Sequence, residues 1–106
     1  MSSAAYCPAA DAELAELMAG LRREFIAEGH GECLRLLCSA SAALDLHEAR
    51  VLAHRWSGMA GTVGLERIGS ASRALDRMLA CGGASETVVL RRLCDLASMF
   101  ERAARE

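Results

Sequence analysis

One histidine in this chain keeps the company that phosphoryl chemistry needs. His54 stands in the run Ala53-His54-Arg55-Trp56-Ser57-Gly58-Met59-Ala60-Gly61-Thr62-Val63-Gly64-Leu65. A neutral imidazole is a competent nucleophile. In a phosphoryl transfer it must line up with the phosphorus while other groups neutralise charge on the equatorial oxygens. Ser57 can donate a hydrogen bond to such an oxygen, and Arg50 or Arg55 can supply positive charge. The glycines that follow at 58, 61 and 64 are costly in a helix, about 1 kcal/mol each relative to alanine. Their presence implies that something comes close to the backbone beside His54.

Unrolled at 100° per residue, the segment sorts into two faces. Asp45, Ala49, Leu52, Trp56, Met59 and Val63 lie roughly opposite His54, and those beyond Asp45 form a continuous apolar stripe that faces a core. His47, Arg50, Val51, Ser57, Gly58 and Gly61 lie within about 60° of His54. The imidazole is therefore expected to point outward, with Gly58 clearing space above the ring and Val51 offering an apolar docking contact. Glycines can instead serve close helix packing, but that would place them on the core side, away from His54.

The elements that must hold this segment are helical. Leu14, Leu17, Met18, Leu21 and Phe25 recur at three and four, and Gly29-His30-Gly31 is expected to interrupt or kink that first helix before the pattern resumes with Cys33, Leu34, Leu37 and Cys38 to about Ala43. Asp45 followed by Glu48 has capping-box spacing and predicts a helix from Leu46 to about Gly61. Leu65, Ile68, Ser72, Leu75 and Leu79 mark another, stopped by Cys81-Gly82-Gly83. Ser85 is placed to cap a last helix with Val89, Leu93, Leu96, Ala97 and Phe100 on its apolar stripe. No alternating strand pattern occurs. The expected fold is all-α: one domain over residues 1–106, an antiparallel four-helix bundle with an additional N-terminal helical segment, residues 1–8 forming a flexible leader.

Composition narrows the function classes. A net charge of -2 lacks the concentrated basic surface that general nucleic-acid binding requires. No apolar run approaches the roughly 20 residues of a membrane span. Five cysteines at 7, 33, 38, 81 and 94, with no CxxC pair and no secretory leader pattern, read as reduced, mostly buried thiols of a cytoplasmic protein. No metal site is expected. His30 and Cys33 make only two ligands, and His47 and His54 stand about 10.5 Å apart along the helix, too far to share an ion. No glycine-rich phosphate loop or acidic Mg²⁺-binding constellation is present, so neither a kinase nor a hydrolase is expected.

The segment resembles the histidine-containing phosphotransfer (HPt) domain family. The family pattern is a histidine, any residue, a hydrophobic residue, usually lysine, then glycine, with a further glycine six residues later ahead of an apolar residue. His54, Trp56, Gly58 and Gly64-Leu65 fill those places, Ala53 matches the small residue often found before the histidine, and the likeness extends from about Phe25 to Leu79. The resemblance implies a phosphorelay intermediate of two-component signalling. It would accept a phosphoryl group on His54 from a receiver-domain aspartate and pass it to another, its partners being a response-regulator receiver or a hybrid histidine kinase. Mg²⁺ would be brought by the receiver, so the chain itself would need no cofactor. A monomer is expected, because a free face around His54 is all that transient docking needs. The usual lysine is Ser57 here, which removes a phosphate-stabilising charge and makes Arg50 or Arg55 the substitute. That departure keeps a second function open: a binding module that docks a receiver or kinase through the same face without being phosphorylated.

Overall fold

A computed structural model describes residues 8–106, so most of the expected leader lies outside the described residues. Helix α1 spans Pro8–Ser39, α2 Leu46–Thr62, α3 Glu66–Cys81 and α4 Glu86–Arg105, with no strand among the described residues. Capping chemistry sets the boundaries. Asp45 Oδ1 accepts from the Glu48 N–H at 3.0 Å and starts α2. Only that half of the capping box forms, because the Glu48 carboxylate instead accepts from Arg35 at 2.9 Å and ties α2 to α1. Ser85 Oγ accepts from the Val88 N–H at 3.3 Å and starts α4. Gly64 and Gly82 take φ of +78° and +70°, turning the chain after α2 and closing α3 with a left-handed cap.

The short connections make consecutive helices antiparallel, and they close a ring: α1 packs on α2 and α4, α3 on α2 and α4. The four-helix bundle expected from the sequence is the fold. Its centre is aromatic. The Phe100 ring meets Phe25 edge-on at 5.5 Å and Trp56 at 5.8 Å between ring centroids, so three helices share one cluster. Ser72, placed on the apolar stripe of α3 by its spacing, is fully buried with its hydroxyl unpaired.

The first helix departs from expectation in two ways. No break occurs at Gly29-His30-Gly31; α1 runs through it without interruption. Gly29 is a packing residue: a Cβ there would lie 2.3 Å from the Phe100 ring. The cost of glycine in a helix is offset by seating that ring. The additional N-terminal segment is thus continuous with the first bundle helix.

The second departure is burial. Leu14, Leu17 and Leu21, part of the apolar periodicity that marks the first helix as amphipathic, are exposed. The reason is length. The end of α4 lies level with Arg22, where Glu106 pairs with it at 3.6 Å, and none of residues 8–21 is buried. A 32-residue helix is about 48 Å long, and the overhang stretches the molecule to 61 × 27 × 17 Å with a radius of gyration of 16.9 Å, against ~13 Å for a compact chain of this length.

Candidate functional site

The face opposite His54 is the core face, as the helical unrolling requires. Ala49, Leu52, Trp56 and Val63 are buried, and Met59 is half-buried against them. Ala53 and Ala60 are buried too, because α2 is flanked by α1 and α3 and loses more than one face to packing. On the other side His47, Arg50, Val51, Gly58 and Gly61 are exposed and Ser57 is half-buried. The His54 side chain keeps 80% of its surface in solvent.

His54 is not a free rotor. Its Nδ1 lies 3.0 Å from Asp76 Oδ2 on α3. A carboxylate only accepts, so this contact selects the tautomer with the proton on Nδ1 and leaves the Nε2 lone pair directed away from Asp76. The same carboxylate lies 3.8 Å from Arg50 Nε. Asp76 was not among the residues singled out from the sequence. It arrives through the register of α2 against α3, which is fixed by small residues. A Cβ on Gly69 would sit 3.4 Å from Ala60 Cβ and 3.9 Å from the Ser57 carbonyl oxygen. Two turns back along α2 from Ala60 and two turns forward along α3 from Gly69, the antiparallel register sets Ala53-His54 level with Asp76. Gly69 facing Ala60 was the available signal, and reading it needs the pairing of two helices.

The proposed accessory groups separate. Ser57 Oγ donates back to the His54 carbonyl at 2.7 Å, the usual use of a serine hydroxyl inside a helix. Arg55 turns toward α1 and pairs with Glu32, which also accepts from Trp56 Nε1 at 2.9 Å. Arg55 is therefore engaged in the α1–α2 seam, and Arg50 is the arginine that shares Asp76 with His54. Gly58 and Gly61 answer the packing question raised by the sequence: a Cβ on either would meet nothing within 4 Å. Among the described residues no contact requires them to be glycine. They border the imidazole with bare backbone.

Of the cysteines, Cys33 is fully buried, while Cys38, Cys81 and Cys94 are exposed, which corrects the expectation of mostly buried thiols; Cys7 lies outside the described residues. Burial, with Glu32 and Cys94 nearby, pushes the Cys33 thiol from 9.0 up to about 12. Among the described residues no group of histidine, cysteine or acidic side chains is arranged to hold a metal, and no helix is long and apolar enough to cross a membrane.

The chain matches no family model, no curated protein and no solved structure. The reading of this face therefore rests on its own residues.

Proposed function

We propose that this protein is a phosphocarrier of the HPt type, taking a phosphoryl group on His54 from an aspartyl phosphate in a receiver domain and delivering it to another receiver. The observation that carries the reading is the exposed imidazole held through Nδ1 by Asp76, with Nε2 unobstructed beside two glycines that packing does not need. In the transfer, the Nε2 lone pair attacks phosphorus, the N–P bond forms, and the P–O bond to the receiver aspartate breaks, its electrons leaving on that carboxylate. The Nδ1 proton stays in place, and the positive charge that develops on the ring faces the Asp76 carboxylate. The reverse step returns the phosphoryl group by the same path. Arg50, which shares Asp76 with His54, is the candidate for drawing in the phosphoryl oxygens. The chain supplies no kinase or hydrolase chemistry, and the Mg²⁺ for the reaction belongs to the receiver.

The test is incubation with a phosphorylated receiver domain. Acid-labile label is expected on the wild-type chain and none on His54→Gln; unlabelled wild type or labelled His54→Gln would overturn the reading.

A second reading is favoured by one observation. With Ser57 bonded to its own helix and Arg55 paired to Glu32, the position usually held by lysine supplies no charge. A docking module that binds a receiver or kinase without accepting phosphate needs only the exposed face. In that case Gly58→Glu abolishes binding, while His54→Ala leaves function in cells intact.

A further inference from the structure

Arg50, one turn before His54, is not the last cation on this face. Gly69, Arg73 and Asp76 fall within about 60° of one another around α3. That edge faces α2, with Gly69 against Ala60 and Asp76 against His54. The register that sets Asp76 level with Ala53-His54 sets Arg73 level with Trp56-Ser57. Its side chain runs back toward the start of α3, the usual direction in a helix. Arg73 Nη1 lies 3.9 Å from the point a Gly69 Cβ would occupy, and the Ser57 carbonyl oxygen lies 3.9 Å from the same point. Gly61 follows Ala60 and stands one turn beyond Ser57, so the guanidinium borders the bare backbone there. Arg73 is exposed and makes no ion pair among the described residues; Glu66, at the start of the same edge, leaves it unpaired.

Position decides what this charge can do. Gly69 and Asp76 are seven residues apart, about 10.5 Å along α3. In its place beside Gly69 the guanidinium is out of reach of a phosphoryl group on the imidazole that Asp76 holds. It stands instead where a partner covering His54 and the glycines must pass. Along this seam, from Arg50 to Gly61 on the His54 face of α2 and from Gly69 to Asp76 on α3, the charges are Arg50, Arg73 and Asp76. With the imidazole neutral that is one positive charge in excess, and Asp76 already serves His54 and Arg50. An acidic partner surface is the one that fits. Resting on the phosphocarrier reading, we propose that Arg73 selects the receiver by pairing with a carboxylate on the surface that packs over Ser57 and Gly61. An exposed cation at such a rim acts on association rate and partner choice rather than on the chemical step.

The probe is the receiver domain used to label His54, and two quantities are read. One is its affinity in the unphosphorylated form, by calorimetry; the other is the labelling rate against receiver concentration. Arg73→Glu is expected to raise the dissociation constant and KM about tenfold, with the rate at saturation and the melting temperature little changed. Arg73→Lys, which keeps the charge, is expected to retain most of the affinity. The gap between wild type and Arg73→Glu should close as ionic strength rises from about 0.05 M to about 1 M. An affinity unmoved by Arg73→Glu, a gap indifferent to salt, or a wild type that binds no receiver overturns the proposal. A fall in the saturating rate at unchanged KM also overturns it, and assigns Arg73 to the phosphoryl group instead. A wild type that binds the receiver and takes no label defeats the phosphocarrier reading alone, because the affinities still decide the role of Arg73.

Discussion

At the residue scale, His54 and Asp76 are an oriented pair, and the pair makes a separable prediction. Asp76→Asn keeps an acceptor oxygen for the Nδ1 proton but removes the charge opposite the ring and, with its amide group, the lock on the tautomer. Because Asp76 touches neither phosphorus nor leaving group, it is a positioning residue. Its loss is expected to slow phosphoryl transfer by about 10- to 100-fold, in the range found for groups that orient a functional histidine. The melting temperature should move little, since the His54 side of the pair is open to solvent, although Asp76 itself is half-buried, and such ion pairs contribute little. Transfer kinetics over a range of pH check this: a purely structural role would leave the rate at saturating receiver unchanged. Cys33 makes a different kind of prediction. Its folded-state value of about 12 lies above its ordinary 9.0, so burial of the neutral thiol contributes fully below pH 9 and is lost as pH rises from 9 toward 12. Chemical denaturation across that window should show stability falling in the wild type and falling less in Cys33→Ala. At neutral pH, alkylation of the folded protein should modify Cys38, Cys81 and Cys94 and spare Cys33.

At the element scale, the glycines show how far a sequence can be read and where reading stops. Periodicity and cap spacing placed α2, α3 and α4 and the two side-chain caps, because capping and amphipathicity are local. Periodicity also placed His54 outward and Trp56 inward, since both follow from 100° per residue. Periodicity could not tell a glycine that breaks a helix from one that seats a ring, because Phe100 is 71 residues away along the chain from Gly29. Nor could it supply Asp76, which reaches His54 only through inter-helix register. These differences are measurable by substitution. Gly29→Ala would press a methyl group into the Phe100 ring and is expected to destabilise by about 1–3 kcal/mol, the range for overpacking, despite alanine's better helix propensity. Gly31→Ala, two residues on and open to solvent, is expected to stabilise by up to about 1 kcal/mol. Gly58→Ala should stabilise likewise, so any loss of phosphoryl acceptance in that variant reports on access for the partner. Thermal melts of the three variants decide between these signs.

At the scale of the whole molecule, the seams of the ring have different work. The α2–α3 seam is built from small residues and sets the His54–Asp76 register, while Phe100 and its aromatic partners knit α1, α2 and α4. The α1–α2 seam is the slightest and leans on polar ties: Glu32 to Arg55 and to the Trp56 indole, and Arg35 to Glu48. Glu32 is mostly shielded from solvent, so its two partners are held where water competes poorly. Glu32→Ala leaves the Trp56 N–H without its acceptor and Arg55 without its counter-charge, and is expected to cost about 1–3 kcal/mol, the penalty for stranding a buried donor. Stability and function should part company in that variant. Trp56 shares its helix with His54, yet the His54 register is taken from α3 and not from α1. The denaturation midpoint of Glu32→Ala should therefore fall, with a shift in tryptophan emission as the indole loses its bond, while the rate of labelling at His54 under native conditions stays close to wild type. A matching fall in that rate would mean that the α1–α2 seam also holds the imidazole in place, and that the site depends on the whole ring rather than on one pair of helices.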